Sequence, residues 1–142
     1  MTDYDAVVVG GGPAGLWFAK RAAERGLKVL VLERKKEIGT PVQCAEGFGL
    51  NGLKRLGIEP DPKWNGWKVS GAKVYAPNGK YVRIPGEGFV IERKIFEKEL
   101  AKMATRAGAR VLAFHEVTDV IKESGEIVGV RARFLGDEKE FY

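Results

Sequence analysis

Gly10-Gly11-Gly12-Pro13-Ala14-Gly15 and, 18 residues after Gly15, Glu33 have the residue types and spacing with which a chain holds a dinucleotide. Gly10 permits a tight turn, Gly12 leaves no Cβ between the backbone and a diphosphate, and Gly15 lets a helix pack closely on a strand. A helix opening at Pro13 and Ala14 turns unpaired N–H groups and its positive dipole end toward the diphosphate. Glu33 offers its carboxylate to two ribose hydroxyls, and its charge repels a 2′-phosphate, which argues against NADP.

A glycine motif alone is weak evidence in a chain with 19 glycines, so the elements around it decide. Residues 6–9 form a short, wholly apolar run, the pattern of a central parallel strand buried on both faces. Leu16, Ala19, Ala22 and Ala23 then recur at helical spacing before Gly26, and residues 28–32 return to a buried strand pattern. The spacing therefore predicts a βαβ unit with the glycines at the first turn and Glu33 at the end of the second strand.

Beyond Glu33 the pattern weakens into a glycine-rich loop with one short helix at 50–56, stopped by Gly57. Residues 69–76 and 80–84 flank Pro77-Asn78-Gly79 and predict a hairpin. Phe96, Leu100, Met103, Ala104 and Ala107 mark one face of a helix at 93–107, and 110–114 reads as a further strand of the parallel sheet. Residues 117–122, 127–134 and those after Gly136 predict an antiparallel meander that has barely reached its last strand at Tyr142, so the 142 residues are expected to be an incomplete part of a longer protein.

Composition narrows the classes. The +5 net charge comes from basic residues interspersed with acidic ones, as in Glu97-Lys98-Glu99, so no nucleic-acid stripe is expected. A single cysteine and a single histidine leave no internal disulfide and no expected metal site. The start does not read as a secretory or transit peptide, and the apolar runs are too short to cross a bilayer. A cytoplasmic location is expected, and peripheral association with a membrane stays open.

The Gly-Gly-Gly-Pro-Ala-Gly form, the Glu33-Arg34 pair and the later helix, strand and meander resemble the large flavoprotein fold of the glutathione reductase and p-hydroxybenzoate hydroxylase type. That resemblance implies FAD as the cofactor. It also implies an α/β, Rossmann-like FAD-binding domain with a hairpin insertion and an antiparallel meander, of which residues 1–142 are the N-terminal part. Pro41-Val42-Gln43-Cys44-Ala45-Glu46-Gly47 is similar to a segment of the geranylgeranyl reductase family, particularly its archaeal lipid reductases. Residues 89–101 are similar to the segment that carries the family's Arg-x-x-Phe-(Asp or Glu)-x-x-Leu-Ala helix start.

The family resemblance implies that Cys44, Ala45 and Gly47 lie along FAD near its isoalloxazine, that Arg93 reaches the pyrophosphate region, and that Val117 gives backbone contacts to the adenine. It implies reduction of isoprenoid double bonds in archaeal membrane lipids, with an electron donor the residues do not identify. No catalytic acid can be named; Cys44 is a candidate group near flavin or substrate, against its ordinary role as a small hydrophobe. Trp64 and Trp67 read as caps on a core before they read as channel walls, and His115 reads as structural. The family's later Gly-Asp and Tyr-x-Trp-x-Phe-Pro motifs do not occur in these residues, so only part of the FAD site is expected. Two other readings remain: another flavoenzyme of the same fold, such as an aromatic hydroxylase or electron-transfer dehydrogenase, and a non-catalytic nucleotide-binding remnant.

Overall fold

The computed structural model describes residues 3–142. In chain order its elements are β1 (Ala6–Val9), α1 (Pro13–Ala23), β2 (Val29–Glu33), β3 (Gly47–Gly49), α2 (Leu50–Leu56) and β4 (Asn65–Tyr75). There follow β5 (Tyr81–Ile91), α3 (Arg93–Arg106), β6 (Arg110–Ala113), β7 (Glu116–Glu123), β8 (Glu126–Phe134) and β9 (Asp137–Phe141). They fall into two compact units: the chain through Pro41 together with Glu97 onward, and Val42–Phe96 between them.

The first unit contains a parallel sheet of order β1-β2-β6. Every residue of β2 is buried, because strands pair with both its edges and α1 packs on it through Leu16, Ala19, Ala22 and Ala23. Among the described residues the both-face burial expected of residues 6–9 is met by β2, the middle strand, while β1 stands at the end of the order and Val9 is 61% exposed. An apolar run reports a preference for buried faces, and two adjacent runs of this kind carry nothing that ranks them across the sheet. A second, antiparallel sheet of order β7-β8-β9 contributes Val130 and Ala132 to a core with Leu30 and Leu32, against which Tyr4, Val7, Leu112, Val117 and Phe141 pack. All three meander strands form where the turn residues predict them, and β9 pairs with β8 along its length from Phe134↔Asp137 to Val130↔Phe141.

The second unit is an antiparallel sheet of order β3-β5-β4 with α2 beside it. Gly57 ends α2 in the left-handed conformation at φ 66°, the stop its position predicts. The hairpin, however, is longer than 69–76 and 80–84, and β3 is a strand where a loop is expected. Pro85, Gly86 and Gly88 read as strand breakers, yet Gly88 is required by close approach: a Cβ there would lie 2.5 Å from the Phe48 carbonyl oxygen of β3. Trp64 is buried with its ring edge-on to Phe96 at 4.9 Å, so it caps the core of this unit, whereas Trp67 is 82% exposed. No helix among the described residues is long and apolar enough to cross a membrane.

Candidate functional site

The C-terminal ends of β1 and β2 and the start of β7 border one cleft of about 410 Å³ in the first unit. Gly10, Gly12, Glu33, Arg34, His115 and Val117 are among its walls. A parallel sheet opens its ligand crevice at these carboxyl ends, where loops diverge and backbone groups lose their ladder partners.

The glycine loop is shaped by three constraints. Gly10 turns out of β1 at φ +107° while its N–H still donates to the Leu32 carbonyl at 2.8 Å. Gly15 cannot carry a side chain: its Cβ would stand 2.2 Å from the Gly10 carbonyl oxygen and 3.0 Å from Val8 Cγ1. Gly12 is the opposite case, since a Cβ built there meets nothing within 4 Å and would project into open space.

Gly12 is also the N-cap of α1, and the first helical bond runs from the Leu16 N–H to its carbonyl at 2.9 Å. No side chain caps this end and no acidic residue lies in the first turn, so the N–H groups of Ala14 and Gly15 face outward with the positive end of the helix dipole. Pro13 at the first helical position removes a donor that would have had no partner. An anion fits this end.

Glu33 is buried, and both its carboxylate oxygens are engaged by backbone: Oε2 accepts the Gly11 N–H and Oε1 the Lys35 N–H, each at 2.8 Å. These bonds hold the carboxylate beside the glycine loop. A carboxylate has about four lone-pair sites, so acceptor capacity remains for hydroxyl groups in the cleft. Of the residues singled out from sequence, Gly10, Gly12, Glu33, Arg34 and Val117 share this cleft, and Pro13, Ala14 and Gly15 form the adjoining helix turn. Lys35, His115 and Glu116 also line it and were not anticipated; their signal is position, at the ends of β2 and β6.

In the second unit Cys44, Ala45 and Gly47 are exposed. The Glu46 N–H donates to Cys44 Sγ at 3.4 Å, a short turn that presents the thiol. Glu46, at φ 60°, accepts the Ile91 N–H on its carbonyl at 2.9 Å and the Arg93 N–H on Oε1 at 3.0 Å. One acidic side chain thereby ties the Cys44 segment to the N-terminus of α3, where a negative charge is favoured. The structure thus joins Arg93 to the Cys44 segment through Glu46, which was not among the expected site residues.

A groove of about 440 Å³ on the hairpin, lined by Lys73, Arg83 and Ile84 among others, is slightly larger than the cleft, but it gathers no helix end or buried acceptor. The set of donors and acceptors, not volume, marks the site. Among the described residues no cluster of three or more His, Cys, Asp or Glu side chains could hold a metal.

The FAD binding domain family model matches residues 5–71. The chain is 46% identical over 143 residues to the digeranylgeranylglycerophospholipid reductase of Methanocella arvoryzae, covering 96% of this chain and 36% of that protein. It is 48% identical over 128 residues to digeranylgeranylglycerophospholipid reductase 2 of Methanopyrus kandleri, covering 90% of this chain and 32% of that one. Over nearly its whole length the chain is similar to the N-terminal part of these digeranylgeranylglycerophospholipid reductases, and its first half matches the FAD-binding model. A geranylgeranyl bacteriochlorophyll reductase-like protein from Thermoplasma acidophilum superposes on 97% of the chain with a TM-score of 0.88 at 37% identity, over 36% of its own length. The chain spans about a third of the length of the relatives it matches. The dinucleotide of the matched domain model is FAD, and the uncapped helix end, the open space at Gly12 and the spare acceptor capacity of Glu33 fit its diphosphate and ribose.

Proposed function

We propose that the complete protein is an FAD-dependent reductase that saturates isoprenoid (geranylgeranyl) double bonds of archaeal membrane lipids. The observation that carries this reading is the Glu33 carboxylate fixed beside an uncapped glycine-rich helix end, in a chain whose relatives are digeranylgeranylglycerophospholipid reductases. Residues 1–142 are then the N-terminal part of one FAD-binding domain, and the remainder of the cofactor site and the substrate domain belong to the rest of the protein.

When bound, FAD supplies the hydride added to the alkene. This chain's residues bind and orient it. Gly10, Gly12, Pro13, Ala14 and Gly15 receive the diphosphate, Glu33 the ribose, Arg34 flanks the adenosine, and Val117 offers backbone to the adenine. By family resemblance Cys44, Ala45, Gly47 and Arg93 serve the flavin half, with Glu46 holding Arg93's backbone to that segment. Cys44 Sγ, which is exposed, is a candidate group near flavin or substrate, and the absence of bulky side chains at Ala45 and Gly47 permits close approach. A lipid substrate places the encounter at a membrane surface, which suits peripheral association of a cytoplasmic protein, and the +5 net charge of these 142 residues is compatible with anionic lipid.

The test is direct. The complete protein, loaded with FAD and reduced by dithionite, is mixed with a geranylgeranyl lipid, and flavin reoxidation is followed with mass analysis of the lipid. Reoxidation coupled to saturated product is expected. A reduced protein that saturates no isoprenoid lipid ends this reading and leaves another flavoenzyme of the same fold.

A further inference from the structure

His115 is buried, titratable and assigned no part in the binding reading above. It lies where the chain leaves the parallel sheet through β6 and enters the meander at β7, and the residue, 8% exposed, is part of the wall of the cleft. Its Nδ1 lies 2.8 Å from the Ala113 carbonyl oxygen. A carbonyl can only accept, so Nδ1 carries the proton and donates. The ring stacks on Phe134 of β8 at 4.5 Å with planes 13° apart and meets the edge of Phe141 of β9 at 6.1 Å.

The backbone around it is equally constrained. Phe114 sits at φ 60°, a conformation that a bulky residue adopts only where its surroundings impose it. Its N–H donates to the Lys35 carbonyl, and the His115 N–H to the Glu33 carbonyl, each at 2.8 Å. The residue whose carboxylate faces the cleft is therefore tied through its own backbone to His115. Two residues onward Val117 lies on the same cleft and in the core shared by the two sheets.

We infer that His115 is a positioning residue of the adenosine cleft: its Nδ1–H clamps the β6–β7 turn, so that Glu33 on one wall and Val117 on the other keep a fixed separation. The role rests on the assignment of this cleft to the adenosine half of FAD. The hydrogen bond is the clamp, and the stack on Phe134 keeps the ring where the bond can form.

The two parts are separable by substitution in the complete protein. His115→Phe retains an aromatic ring and removes the N–H, whereas His115→Asn places an amide N–H near the Nδ1 position and removes the ring. Calorimetric titration with ADP, which carries the adenosine and diphosphate without flavin, is compared with titration of FAD and with the thermal midpoint. His115→Phe is expected to weaken ADP about five- to tenfold, the range of one lost hydrogen bond, with an equal factor for FAD, and His115→Asn to restore ADP to within about twofold. If His115→Phe does not fold, His115→Ala against His115→Asn makes the same comparison.

Undiminished ADP binding in the ring-retaining variant overturns the inference. So does a variant series in which ADP affinity follows the thermal midpoint with no rescue by asparagine, or in which FAD weakens much more than ADP, because those describe general loosening. Failure of the unsubstituted protein to bind ADP at all removes the cofactor assignment and the role together. Failure to reduce isoprenoids with ADP binding intact touches only the proposed reaction.

Discussion

Each oxygen of the Glu33 carboxylate accepts one backbone N–H, so the group is placed before a cofactor arrives and loses little freedom on binding it. In Glu33→Gln the amide nitrogen cannot accept, and either the Gly11 or the Lys35 N–H is left facing a donor. The variant should in addition lose one charge-assisted hydrogen bond to the ribose, about 1.5 to 3 kcal/mol, or on the order of ten- to a hundredfold in FAD affinity. Calorimetric titration of FAD into the complete protein measures it, and a loss under threefold would show that Glu33 only shapes the loop. The glycines and Glu33 are legible in sequence because diphosphate and ribose chemistry dictates residue type at each of those positions. Glu46 was not, because its function is to bind a backbone N–H 47 residues away, a pairing that no local spacing encodes. His115, as a lone histidine, carries no spacing at all.

At the scale of elements, Gly12 and Gly15 make opposite demands on one turn. Gly15→Ala sets a methyl group against the Gly10 carbonyl oxygen at 2.2 Å, and backbone cannot yield as a flexible side chain can, so α1 must move off β1. A cost of about 1 to 3 kcal/mol in unfolding free energy is expected, with FAD binding lost as well. Gly12→Ala meets nothing, so its unfolding free energy should change by no more than about 1 kcal/mol at this N-cap position while FAD binding is lost to the methyl group in the diphosphate's path. Thermal unfolding paired with flavin titration separates them, and equal stabilities would refute the contrast.

The end of the meander supplies a pH-dependent element. The Tyr142 hydroxyl donating to Glu140 at 2.8 Å, and then Arg131 at 3.0 Å, hold the Glu140 carboxyl below the usual carboxylate range. A lowered folded-state value means that the stabilisation is complete above the ordinary carboxylate range and is lost as pH falls through the lowered one. The same bond raises the Tyr142 phenol, so that its contribution persists to the usual phenol range and disappears as pH rises beyond it. Amides of β9 should therefore exchange faster, relative to the intrinsic rate, as the protein is acidified below the carboxylate range, and Glu140→Gln should flatten that dependence. The order of elements was legible because period, caps and turn residues agree along most of the chain. The length of the hairpin was not, since Gly66 and Gly88 look like breakers in sequence but are sites where a neighbouring strand's backbone comes within 2.6 Å of a would-be Cβ.

At the scale of the whole molecule, the chain carries two sets of candidate cofactor residues, each organised within its own compact unit. The set around Gly12, Glu33 and Val117 is addressed by adenosine and diphosphate chemistry alone, whereas Cys44, Ala45, Gly47 and Arg93 are assigned to the flavin half through family resemblance. Amide exchange of the complete protein with ADP or FAD tests that division. Any ligand slows amides that exchange through global unfolding, because binding raises overall stability. The informative amides are those that exchange through local opening. Among these, ADP should protect residues 10–15, 33–35 and 115–117 and leave 43–47 as they are, while FAD should protect both sets. If FAD protects no more than ADP does, the Cys44 segment has no part in holding the cofactor and the glycine-loop site stands unchanged. If neither ligand protects 10–15, the diphosphate does not lie on the N-terminus of α1, and the cofactor assignment falls regardless of what the remainder of the protein reduces.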